Sequence, residues 1–240
     1  MTFIASYHYY RIFNSWVEAY TWVDGEVSLS GVPFNDAYRY MDWLLTVPLL
    51  LIEIVLVMKL DAEETKSKCV SLGSAAALMI ILGYPGELVL DESNLGTRWF
   101  WWVLAMIPFM YIVYTLLIGL SDATNSESDP AVRQSIRNAQ LATVISWCTY
   151  VYHLASIRLK FFYAFSLSSN FVRLCSSYPI VYLFPMLGIS GSTAIVWIQI
   201  GYSIADIIAK CGVGLLVYSI TNAKSIAIKS GRSEESPLVA

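Results

Sequence analysis

Apolar residues recur along this chain in runs too long for soluble helices, and short polar stretches separate them. The opening run, residues 1 to about 22, is rich in aromatics (Phe3, Tyr7, Tyr9, Tyr10) and lacks the basic start and small-residue cleavage site of a signal peptide. A turn-rich acidic stretch from Val23 to Asp36 follows, with Gly25, Gly31 and Pro33, and predicts a loop. Further helices are predicted from Ala37 to about Lys59, Cys69 to Leu90 and Arg98 to Leu120, then from Ala131 after Pro130, which suits a first helical turn. The final apolar run extends from about Thr193 to Ile220.

Composition turns these runs into membrane spans. Hydrophobic residues make up 57% of the 240, charged residues 14%, and mean hydropathy is +0.58. A soluble domain carries roughly a quarter charged residues. Spans of about 20 residues use most of the chain and leave short loops. Cys69, Cys148, Cys175 and Cys211 form no CxxC pair, and only two histidines are present, so disulfide and metal chemistry are not indicated. Neither nucleic-acid binding nor conventional enzyme chemistry has a supporting motif. Basic residues gather after the second helix (Lys59, Lys66, Lys68), after the fourth (Arg133, Arg137) and toward the end of the chain (Lys224, Lys229, Arg232), where residues 225 to 240 are expected to form a tail, whereas the loop at 23 to 36 has none and that near 91 to 98 has only Arg98. By the bias of Lys and Arg toward cytoplasmic loops, the C-terminus is expected in the cytoplasm.

Candidate chemistry lies in two helices. Asp206 and Lys210 are four residues apart within the last apolar run, hence on one helix face, and charges inside a span are costly enough to mark function. In the second helix Arg39, Asp42, Thr46 and Glu53 follow spacings of three, four and seven and form a polar stripe. Asp42 and Glu53 are separated by about 16 Å of helix, too far to share a proton and suited to successive stations on a proton path.

The run Arg39-Tyr40-Met41-Asp42-Trp43-Leu44-Leu45-Thr46-Val47-Pro48-Leu49-Leu50, with Asp206-x-x-x-Lys210 later, resembles the microbial rhodopsins, most nearly the proteorhodopsin type of proton pump. The resemblance covers residues 1 to about 224 and implies an all-α membrane protein, a seven-helix rhodopsin-type bundle that here lacks the first helix and has about six spans. It implies all-trans retinal bound to Lys210 as a protonated Schiff base, Asp42 as counterion and proton acceptor, Asp206 completing the counterion, Arg39 balancing the charge, His8 beside the acceptor, and Glu53 as proton donor. Trp43, Trp147, Tyr178, Pro179 and Tyr202 match positions around the retinal ring, and Leu50 the position that tunes colour toward green. Protons are the implied cargo and a lipid bilayer the implied surroundings; a homo-oligomer is left open.

Two departures stand against the pattern. The chain starts within what would be the second helix. The family's Trp-x-x-Tyr-Pro sequence is split, because residues 150 to 177, carrying Arg158, Lys160 and Arg173, lie between Thr149 and Tyr178. Removing them restores Thr149-Tyr178-Pro179 in frame, so the insertion in this penultimate helix is expected to be a retained intron from a eukaryotic source. A light-driven outward proton pump is the expected function; a sensory photoreceptor acting through a partner and an inactive product of a defective gene are the alternatives.

Overall fold

The computed structural model describes residues 1–58, 60–89, 94–148, 181–187 and 191–231. The expected insertion, with Tyr178 and Pro179, lies outside these residues. Helix α1 runs from Thr2–Ala19, and where a loop was expected a two-stranded antiparallel hairpin forms, β1 (Tyr20–Val23) and β2 (Glu26–Leu29), with Tyr20 opposite Leu29. Its turn is Asp24-Gly25, with φ of 52° and 84°, the two positive values that a tight primed turn requires. Aromatic and β-branched residues flank that dipeptide, which is a hairpin signal in its own right and corrects the loop expectation.

Helix α2 (Ala37–Leu56) follows, then α3 (Ala62–Glu87) and α4 (Leu95–Tyr114). Helix α3 starts seven residues before the apolar run that predicted it, because Asp61 caps it by accepting from the Glu64 amide at 2.7 Å and Glu63 and Glu64 suit the positive end of the helix dipole. Pro48, Pro85 and Pro108 lie inside these helices, as membrane helices tolerate when neighbours satisfy the freed carbonyls. Helix α4 passes into a π-helical turn, Thr115–Gly119, and a short helix α5, Ser121–Asn125. Helix α6 spans Pro130–Cys148, opening at the proline as expected. The last apolar run forms α7 (Gly191–Ile207), a second π-helical turn (Ile208–Gly212) and α8 (Val213–Lys229), so the helix continues into what was expected to be a tail.

Helices α2, α3 and α4 pack side by side, α1 lies on α2, and α8 packs on α6 and reaches α2. Leu50, Leu51, Ile54, Leu72, Ile112 and Ile220 fill the core between them. Outward, Phe100, Val103, Ile107, Met110 and Tyr114 alternate at spacings of three and four along α4, and all are exposed. That apolar stripe would be a liability in water and matches a lipid surface. Among the described residues, three helices are long and apolar enough to cross a membrane: Ala62–Glu87, Leu95–Asn125 and Val196–Lys229. Helix α2 carries Arg39, Asp42 and Glu53 within its 20 residues, and these charges are what its interior is built around.

Candidate functional site

Helix α2 and the π-helical turn between α7 and α8 bring the two polar stripes together. Asp42, Thr46 and Lys210 are buried, at 0%, 0% and 4% exposure. The Lys210 ammonium pairs with Asp42 Oδ2 and, at 3.2 Å, with Asp206 Oδ2. One cation thus lies between two carboxylates, 168 residues from one and four from the other. Burial of this kind is tolerable only because the charges are paired. The π-helical turn holding Lys210 is a local distortion of the sort that recurs at functional sites.

Each carboxylate is held differently. Asp206 accepts from the Trp43 indole at 3.0 and 3.2 Å and from the Tyr9 hydroxyl at 2.5 Å. Asp42 Oδ1 has no hydrogen-bond partner among the described residues, and neither has Nδ1 of His8, which is buried on α1. Thr46 donates its hydroxyl to the Asp42 carbonyl at 2.8 Å, one turn along α2. Arg39, 2% exposed, does not pair with either carboxylate directly. It donates to Tyr9 at 3.1 Å and to Gln199 Oε1 at 2.5 Å, so it reaches Asp206 through the tyrosine. Tyr9 and Gln199 were not singled out in the sequence, because no spacing pattern marks either one.

A cavity adjoins this cluster, lined by Tyr40, Trp43, Met79, Trp102, Phe109 and Tyr202 among others. Its walls are aromatic and apolar, the lining typical of a site for an apolar ligand. Trp43 joins the two parts of the site, lining the cavity and donating to Asp206. Tyr202 meets Trp43 edge-on with ring centroids 4.9 Å apart, and both line the cavity. Leu50, the expected colour-tuning residue, is buried at 2% exposure but is not among the lining residues, where Val47, one turn earlier, is. Trp147 lies in α6, and its side chain, like Tyr178 and Pro179, is outside the described residues. Glu53 is half-buried on α2, and no hydrogen bond or ion pair reaches it among the described residues.

One further cluster closes the cavity toward the hairpin end. Glu87 and Arg98 pair at 3.1 Å with 3% and 0% exposure. Glu87 also accepts from Tyr40 at 3.4 Å and Tyr202 at 3.1 Å, while Arg98 donates to the carbonyls of Tyr182, Gly86, Glu87 and Val89. Arg98 is therefore no loop charge, as its place beside a loop suggested. Setting it aside leaves the hairpin-side loops barer of cations, which strengthens the charge asymmetry.

Apolar helices packed around a buried lysine, paired carboxylates and an aromatic cavity define a membrane protein with an apolar cavity beside a buried amine. The sequence profile of the bacteriorhodopsin-like protein family matches residues 1–159, and the chain belongs to that family. Members of the family bind retinal as their chromophore. Archaerhodopsin-2 of Halobacterium sp. (strain aus-2) is 33% identical over 127 residues, 52% of this chain and 46% of its own length. Green-light absorbing proteorhodopsin of Gamma-proteobacterium EBAC31A08 is 25% identical over 150 residues, 62% of this chain and 53% of its own. The chain thus spans about half the length of these curated relatives. Among solved structures, xanthorhodopsin, a light-driven ion pump with dual chromophore, superposes with a TM-score of 0.72 at 41% identity, covering 93% of this chain and 77% of that one. The profile match ends before Asp206 and Lys210, so it is this superposition that extends the likeness over most of the chain.

Proposed function

We propose that this chain is the core of a light-driven outward proton pump, with retinal held by Lys210. The carrying observation is the buried Lys210 paired with both Asp42 and Asp206 at the edge of an aromatic cavity. Retinal bound there would supply light absorption and a light-induced change of shape, with Trp43 and Tyr202 against it. Everything else falls to the chain's own residues. Asp42 accepts a proton from the Lys210 nitrogen, to which it is already hydrogen-bonded, and its free Oδ1 has His8 as the buried partner available. Asp206 is held in place, its carboxylate accepting from the Trp43 indole and the Tyr9 hydroxyl, whereas Asp42 keeps one oxygen without such a partner. Asp42 and Asp206 thus take unequal parts because their hydrogen bonds differ.

Glu53 returns a proton to the Lys210 nitrogen from the other side. Its carboxyl, about three turns along α2, is the feature that favours a pump over a sensor. The basic residues Lys66, Lys68, Arg133 and Arg137 lie at Glu53's end of the bundle, and with Arg98 buried that end is assigned to the cytoplasm and the hairpin to the outside.

Illuminated cells expressing the chain with retinal are expected to acidify their medium, and a protonophore to abolish the change. Asp42→Asn ends steady pumping, whereas Glu53→Gln slows reprotonation and retains some acidification. Photocycling with no protonophore-sensitive acidification sinks the pump reading and leaves the sensory one.

A further inference from the structure

Glu87 has no part in the pumping scheme above, although it is buried beside residues that line the cavity. It is the last residue of α3, 3% exposed, and Arg98 fixes it twice. The guanidinium donates to the Gly86, Glu87 and Val89 carbonyls, which the helix end leaves open, and to the Glu87 carboxylate. Three donors converge on one oxygen of that carboxylate, Oε2: Arg98 Nη2 at 3.1 Å, the Tyr202 hydroxyl at 3.1 Å and the Tyr40 hydroxyl at 3.4 Å. A single atom thereby ties α3 and α4 to α2, which carries Tyr40, and to α7, which carries Tyr202.

Both tyrosine rings pack on the same target. The Tyr40 centroid lies 5.0 Å from that of Trp43 at an interplanar angle of 59°, and the Tyr202 centroid 4.9 Å from it at 79°. Trp43 is 5% exposed and points its indole N–H at Asp206, 3.0 Å from Oδ1 and 3.2 Å from Oδ2. The indole also borders the apolar cavity, and because the outer torsion of such a side chain is soft, an apolar border alone does not fix where the N–H points. Two rings packed against it do, provided that they cannot turn. Their hydroxyls hold them, each donating to a buried charged acceptor, which makes the stronger kind of hydrogen bond.

We propose that Glu87 is a positioning residue of the pump: through the hydroxyls of Tyr40 and Tyr202 it keeps the Trp43 indole aimed at Asp206. The consequence rests on the pump reading above. There the unequal hydrogen bonding of Asp206 and Asp42 gives the two carboxylates different parts, and the Trp43 N–H is one of the bonds that sets Asp206 apart. An indole turned aside leaves the Asp206 charge less compensated. That carboxylate then holds positive charge at the Lys210 nitrogen more tightly, and the visible band of bound retinal moves to shorter wavelength.

Ultraviolet resonance Raman of the full chain reads the Trp43 hydrogen bond without retinal, as the indole N–H marker in the difference between each chain and the same chain carrying Trp43→Phe. Tyr40→Phe/Tyr202→Phe keeps both rings and removes both hydroxyls. Its marker is expected at the weakly hydrogen-bonded position, and its band with retinal at shorter wavelength than the parent's. Glu87→Gln should shift both in the same direction by less, since its amide oxygen still accepts from Tyr202. Added to the tyrosine double variant, Glu87→Gln should shift neither further, because the links it weakens are already gone. Leu72→Ala, a change in the core on the same helix, should destabilise the chain and leave the marker in place, which separates aim from stability. An unmoved marker in the tyrosine double variant, or in Glu87→Gln where that chain does not fold, overturns the proposal and leaves the pump reading standing. A Glu87→Gln shift that adds in full to the tyrosine changes overturns it as well. A parent chain that photocycles without moving protons overturns the pump reading, and the Raman marker still decides whether Glu87 aims the indole.

Discussion

Replacing Arg98 with methionine tests whether the buried ion pair at the hairpin end holds the cavity together. The guanidinium is fully buried, pairs with Glu87 at 3.1 Å and donates to four backbone carbonyls on two parts of the chain. Methionine matches the stem but leaves a carboxylate, 3% exposed, with only two tyrosine hydroxyls for company. Removing one member of a buried pair costs about 3–5 kcal/mol, a large share of typical total stability. Glu87→Gln is milder, because the amide still accepts from Tyr202 and Arg98 keeps its carbonyls; roughly 1–3 kcal/mol is expected. Combining the two changes leaves no unpaired charge, so the double variant should be more stable than the sum of the single losses by about 0.5–3 kcal/mol. Unfolding by sodium dodecyl sulfate in a lipid–detergent mixture, followed by helical circular dichroism, measures all three. Strictly additive losses, or an Arg98→Met loss no larger than that of Glu87→Gln, would refute the reasoning that charge pairing rather than packing dominates here.

Two other outcomes follow from the same geometry. Because burial and the Glu87 charge make Asp36 bind a proton more tightly in the folded chain (pKa about 7) than its ordinary value of about 3.9, the folded state holds the extra proton between those values, and its stability from this group falls as pH rises from about 4 to 7. Asp36→Asn should flatten that slope and gain on the order of 1–3 kcal/mol at pH 8, read by the same unfolding assay; an unchanged slope contradicts that tighter binding. At Gly201 an added methyl would lie 2.7 Å from Val181 Cγ2, and at Gly86 it would fall on the Tyr182 hydroxyl and 2.9 Å from Trp101 Cβ. Gly86→Ala therefore should displace Tyr182 from its contacts and cost about 1–3 kcal/mol, and normal stability with a normal visible band would show that the tyrosine is not held there.

The helices were legible because bilayer-length apolar runs have few alternatives, and the stripe on α2 because three-, four- and seven-residue spacings mark one face. Lys210 and Asp206 declared themselves by the cost of charge in such a run. What joins them to Asp42 is tertiary: 168 residues separate partners that touch. Tyr9 and Gln199 were invisible for the same reason, since a polar side chain outside any spacing pattern shows its use only when its neighbours from other helices are known. Arg98 misled because sequence proximity to a loop says nothing about which way a side chain turns, and here it turns inward onto Glu87. The hairpin was readable from Asp24-Gly25, but the acidic and glycine-rich surroundings weighed toward a loop. Leu50 is buried in the helix core, one turn beyond Val47, which lines the cavity.

The central claim is that Lys210 carries retinal against the carboxylate of Asp42, and the visible spectrum tests it most directly. Adding all-trans retinal to the purified chain should give a visible absorption band that shifts to longer wavelength as Asp42 is protonated on acidification. Lys210→Ala should give no such band, and Asp42→Asn should hold the band at its acid position across the titration. A band that survives Lys210→Ala, or a pH shift that persists in Asp42→Asn, would contradict the account.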